Sequence, residues 1–75
     1  MPDVKDEREE AERLAVYDAL RIAAYAHDVL AALATDRIHD ALYYALRIEE
    51  HLKVLEKGLN ALLQLERKLK GGGNG

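Results

Sequence analysis

From Asp3 to Ala34 the chain carries neither proline nor glycine, and apolar side chains recur three or four residues apart through that run. An unbroken stretch with this period leaves the backbone one regular choice, an α-helix of about 48 Å. Pro2 suits a helix entrance and Asp3 can cap it. Asp6, Glu7, Glu9 and Glu10 set negative charge against the positive end of the helix dipole. Lys5–Glu9, Arg8–Glu12 and Glu9–Arg13 have the spacing of helical ion pairs.

A break is expected at Ala34-Thr35-Asp36-Arg37, where Thr35 or Asp36 can cap a second helix. Without it one helix would extend roughly 100 Å, far beyond globular lengths. The sequence therefore predicts an all-α fold, a long antiparallel hairpin with helices over about 3–34 and 36–70. Residues 1–70 form one hairpin domain, and residues 71–75, Gly71-Gly72-Gly73-Asn74-Gly75, read as a flexible tail. Gly58 is a possible stop signal, but Leu52, Leu55, Leu59, Leu62 and Leu69 hold one helical phase across it, which favours a continuous helix.

The apolar surface is too wide for this hairpin. One row on the first helix holds Val16, Leu20, Ala23, Leu30 and Ala34, and the row beside it holds Ala15, Ala19, Ile22, Ala26, Val29 and Leu33. Between Leu14 and Ala34 only Asp18, Arg21, His27 and Asp28 are polar, apart from the tyrosine hydroxyls. Two helices cannot cover each other on several sides, and soluble monomers rarely expose such patches. A homo-oligomeric multi-helix bundle with coiled-coil-like packing is therefore expected, most simply a dimer, with trimers and tetramers open. The expected core and interface anchors are Val16, Leu20, Ile22, Leu30, Leu33, Ile38, Leu42, Ile48, Leu52, Leu55, Leu59 and Leu62. The polar rows Asp18, Arg21, Asp28 and Asp36, Asp40, Arg47, Glu50 are expected to face solvent.

Composition narrows the function classes. Fourteen acidic residues against 11 basic ones give a net charge of −3, which argues against nucleic-acid binding. Asp18, Arg21 and Asp28 interrupt the longest apolar stretch, so no membrane span is expected, and the N-terminal residues lack the apolar core of a signal peptide. A soluble protein, intracellular or produced recombinantly in a cytoplasm, is the expectation. Cysteine is absent, which removes disulfides and thiolate metal sites. There is no serine for a Ser-His-Asp triad, and outside the C-terminal tail no glycine-rich phosphate loop. No catalytic, cofactor-binding or metal site is expected.

The histidines are the remaining candidates for chemistry. His27 follows the phase of Val16, Leu20 and Leu30 and is expected at an interface, while His39 and His51 fall toward the polar edge of the second helix. Asp36-x-x-His39 has the spacing by which one helix turn offers two metal ligands, although an N-cap role suffices for Asp36. Tyr17, Tyr25, Tyr43 and Tyr44 suit interface edges.

The chain is dominated by Ala, Leu, Glu, Arg and Lys, lacks Trp, Phe and Cys, and has little Asn or Gln. It resembles de novo designed helical-hairpin homo-oligomers, and also proteins of extreme thermophiles. The former resemblance implies a structural self-assembly module without catalytic activity. Residues 21–30, Arg-Ile-Ala-Ala-Tyr-Ala-His-Asp-Val-Leu, are similar to the phospho-accepting helix of histidine-kinase dimerisation domains. That similarity implies a dimeric hairpin with His27 as phosphoryl acceptor and Asp28 as its base; no nucleotide-binding segment accompanies it. Self-assembly is the leading expectation. A natural adaptor binding another protein through its bundle face comes second, and a metal-binding or phosphotransfer bundle using His27 or His39 third.

Overall fold

A computed structural model describes residues 4–73, which form two helices. Helix α1 spans Val4–Ala34 and helix α2 spans Ile38–Gly73. They pack against each other as a hairpin 58 Å long and 18 × 15 Å across. The all-α hairpin expected from the period is thus the fold. Helix α2 continues through Gly58 without a break, as its leucine phase implies. It also runs past Lys70 into the glycine stretch that the sequence suggests as a tail. The proposed entrance at Pro2 and Asp3, and Asn74-Gly75 of the tail, lie outside the described residues.

The turn is made differently from the capping expected of Thr35 or Asp36. Asp36 has φ of 58°, in the left-handed region. Its N–H donates to the Leu33 carbonyl at 3.2 Å, and the Arg37 N–H reaches back to the Ala32 carbonyl at 2.8 Å. Those two bonds constitute a Schellman closure of α1, with Asp36 in the position that glycine usually fills. A left-handed residue that ends one helix cannot adopt the extended geometry of an N-cap for the next. Thr35 is also committed backward, its hydroxyl donating to the Ala31 carbonyl at 2.9 Å. Arg37 instead supplies the first carbonyl of α2, accepting from the Ala41 N–H at 3.0 Å. Its guanidinium bonds Thr35 Oγ1 at 2.8 Å and Asp40 at 3.0 Å, tying the turn to the first turn of α2.

Between the helices the shielded residues recur alternately four and three apart. On α1 they are Ala11, Ala15, Asp18, Ile22, Tyr25, Val29 and Ala32; on α2 they are Ala41, Tyr44, Ile48, His51, Leu55, Gly58, Leu62 and Leu65. This spacing keeps one stripe of each helix facing the other along their length. Small side chains recur along the seam at Ala11, Ala15, Ala32, Ala41 and Gly58. Ala15, Ala32, Ala41 and Leu65 are its buried apolar members, and Gly58 lies opposite the alanine end of α1, sharing a groove with Ala11 and Ala15. Among the described residues no large side chain is fully buried.

Ion pairs decorate the polar ends. Arg8 binds Glu12 at 3.0 Å, while Arg13 turns to Glu10 at 3.3 Å instead of to Glu9. At the far end of α2, Glu66 accepts from Lys70 at 3.0 Å. That bond, the Lys70 charge and Arg8 from α1 hold the Glu66 carboxyl below its ordinary range.

Candidate functional site: the outer apolar face and the seam cluster

The small seam residues have a consequence for the large ones. Of the expected anchors, Ile22, Ile48, Leu55 and Leu62 line the seam and are half-buried. Val16, Leu20, Leu30, Leu33, Ile38 and Leu42 are more than half exposed, Leu30 at 66 %; Leu52 and Leu59 are slightly less so. Leu14, Tyr17, Tyr43, Leu46, Val54, Leu63 and Leu69 are exposed as well. On α1 the exposed apolar side chains spread over the whole side turned away from α2. On α2 the exposed apolar side chains are Ile38, Leu42, Tyr43 and Leu46 near the turn, and farther along Leu52, Val54, Leu59, Leu63 and Leu69. Beyond Leu46 the outward polar residues are Glu49, Glu50, Lys53, Glu56, Lys57 and Asn60, all exposed.

Two expectations about polar residues are corrected here. Asp18 is not on the solvent face; it is buried, at 8 % exposure. His51 is not solvent-facing either, its side chain being 19 % exposed. Each occupies the seam, and the cost of burying them is offset because they satisfy one another: His51 Nδ1 donates to Asp18 Oδ1 at 3.0 Å. Helical period alone ranks Asp18 with Arg21 and Asp28, and the missing signal was a partner 33 residues away. Arg21, Asp36, Asp40 and Glu50 are exposed as expected, whereas Asp28 and Arg47 are half-buried.

Around this pair the aromatic residues gather. Tyr25 stacks on the His51 ring at 5.8 Å between centroids and meets Tyr44 at 6.0 Å, and Tyr44 in turn meets Tyr43 edge-on at 5.5 Å. Arg21 and Arg47 lie over the Tyr25 ring at 5.4 and 6.0 Å, and Arg21 also donates to the Tyr25 hydroxyl at 3.3 Å. The Arg47 guanidinium, with Arg21 adding its charge, holds the Tyr25 phenol below its ordinary value of 10.0. Arg47 Nη1 is paired with Glu50 at 3.0 Å, while its Nε is enclosed without an acceptor.

A histidine held by a carboxylate is half of a general-base arrangement. Here the imidazole carries a tyrosine ring on its face, and the pair is interlocked between helices. The arrangement suits the fixing of helix register. His39 is exposed on the first turn of α2 and shares with Asp36 a shallow groove of about 270 Å³. Among the described residues no three metal-ligating side chains come together. His27 is exposed on the outer side of α1, and its neighbour Asp28 is half-buried. No described helix is long and apolar enough to cross a membrane. Comparison with known families, with characterised proteins and with solved structures finds no match to this chain.

Proposed function

We propose that this chain is a structural self-assembly module, a helical hairpin that associates with copies of itself into a closed bundle and performs no catalysis. The observation that carries this reading is the outer side of α1, apolar from Leu14 to Ala34 but for His27 and uncovered by α2. One hairpin exposes 5919 Å². A compact monomer of 8.4 kDa exposes about 4,600 Å² by the usual size scaling. The excess exceeds the roughly 800 Å² per partner that a standard stable interface buries. Covering the exposed part of each large aliphatic chain contributes about 1 kcal/mol. Thirteen such residues, with Tyr17 and Tyr43 beside them, supply enough to offset the roughly 4–15 kcal/mol lost on association.

A dimer is the smallest closed form and trimers or tetramers are larger solutions of the same problem. The composition fits a designed origin, in which a defined assembly is the purpose of the chain. Light scattering on purified protein should give a mass at a fixed multiple of 8.4 kDa. Leu30→Asp, which strands a charge on the outer side of α1, should reduce that mass or unfold the chain. A dilute, compact, cooperatively melting single copy would refute the reading. Aggregation or partial unfolding of the isolated chain would point instead to an adaptor that awaits a different protein.

A further inference from the structure

Helix α1 carries two seams. The inner one faces α2. The outer one, Val16, Leu20, Ala23, His27, Leu30 and Ala34, repeats the same alternation of four and three residues on the opposite side, and every member is exposed. It is also the middle of the apolar arc of α1, with alanines and Leu33 on one side and Tyr17 and Ala24 on the other.

We propose that this outer seam docks antiparallel onto the same seam of a second copy, about a two-fold axis at Ala23, with the α1 helices inside and the α2 helices outside. The inference rests on the self-assembly reading and adds to it which face meets which, and in what direction. A two-fold axis at Ala23 matches Val16 to the second copy's Leu30 and sets Leu20 within one residue of its His27, so the seam is close to a palindrome of sizes. Ala23 at the axis lets the backbones approach closely.

The placing of α1 inside follows from the difference between the two outer sides. That of α1 is apolar from Leu14 onward but for His27, whereas α2 beyond Arg47 turns Glu49, Glu50, Lys53 and Glu56 outward.

Charge bears on the direction. Residues 5–13 hold five acidic side chains, Asp6, Glu7, Glu9, Glu10 and Glu12, against three basic ones, Lys5, Arg8 and Arg13. A parallel pair would set two such segments side by side, and like charges in apposition oppose docking. The antiparallel register separates them and sets each beside residues 36–40 of the second copy, where Arg37 stands between Asp36 and Asp40: Glu9 comes level with Arg37 and Glu7 with His39, while Glu10 comes level with Asp36 and Asp6 with Asp40.

The absence of cysteine makes the test direct. Single-cysteine full-length chains Ala23→Cys, Val16→Cys and Leu30→Cys are treated with a short bifunctional maleimide. Ala23→Cys should become covalent dimer in most of the sample. Val16→Cys and Leu30→Cys should each stay uncrosslinked alone, and should form a mixed dimer after being unfolded and refolded together. Self-crosslinking of both Val16→Cys and Leu30→Cys would mean a parallel pair and overturn the proposal. So would an oligomer, by light scattering, in which none of the three crosslinks. A monomeric wild-type chain would overturn the self-assembly reading beneath it. A cysteine variant that fails to refold is replaced by neighbours on the same seam, Leu20→Cys with His27→Cys, for which the same mixed-only pattern is expected.

Discussion

Asp18 and His51 meet in the middle of the hairpin seam, 3.0 Å apart, one from each helix and both largely shielded from water. They are a charged or polar pair in a stripe otherwise made of alanine, glycine, aliphatic and aromatic residues. Such a pair contributes little net stability, because desolvation offsets the attraction, but it penalises any slip of one helix along the other.

The pair gives a signed expectation. Asp18→Ala leaves the His51 ring N–H without its acceptor and should cost about 1–3 kcal/mol in chemical denaturation. Replacing both residues with leucine should recover that loss, since the unsatisfied group is removed along with its partner. A neutral Asp18→Ala combined with a destabilised double variant would contradict the inward placement of the two side chains.

Gly58 stands in the interior of α2, and a methyl group built there meets nothing within 4 Å. Glycine in a helix interior costs roughly 0.5–1 kcal/mol relative to alanine. Gly58→Ala should therefore raise stability by about that amount, seen as a higher melting temperature with the mass of the assembly unchanged. A drop in stability would mean that the groove beside Ala11 and Ala15 closes more tightly than the hairpin shows.

How much of this was legible in the sequence can be argued from the same residues. The period and the missing breakers of residues 3–34 establish helix α1, and the leucine phase across Gly58 establishes that α2 continues. What the period cannot rank is two seams of equal spacing on one helix. Val16, Leu20 and Leu30 look like the better core because they are larger. The hairpin instead closes on Ala15, Asp18, Ile22 and Tyr25, with Ala11, Ala15 and Ala32 allowing the close approach. Asp18 and His51 were illegible for another reason: a polar residue reads as solvated unless its partner is known, and theirs lies on the other helix. The turn hid similarly, since aspartate is a common N-cap and an occasional left-handed residue, and only the backbone distinguishes the two.

Asp36 follows from that distinction. A non-glycine residue in the left-handed region is strained by roughly 1 kcal/mol or more, and the side chain of Asp36 is exposed. Asp36→Gly should stabilise the hairpin by up to about 1 kcal/mol, net of the greater freedom that glycine gives the unfolded chain. Asp36→Val should destabilise it, because a β-branched residue tolerates this φ poorly. Thermal melts of the two variants in the same buffer would check both signs, and a stabilising valine would contradict the Schellman closure.

Tyr25 supplies the pH dependence. Arg47 foremost, and Arg21 with it, lower the phenol below its ordinary value of 10.0, so in the folded chain Tyr25 loses its proton before the unfolded chain does. A depressed value means that the unfolded state binds more protons in that window. Stability from this group is therefore gained as pH rises from the depressed value toward 10, is retained above it, and is absent at neutral pH. Because Tyr25 is partly open to solvent, the effect should be a modest alkaline shoulder in stability. An alkaline titration of phenolate absorbance, with Tyr25→Phe subtracted to isolate this residue, should show its midpoint moving upward in Arg47→Gln. An unmoved midpoint would mean that the guanidinium does not sit over the ring in solution.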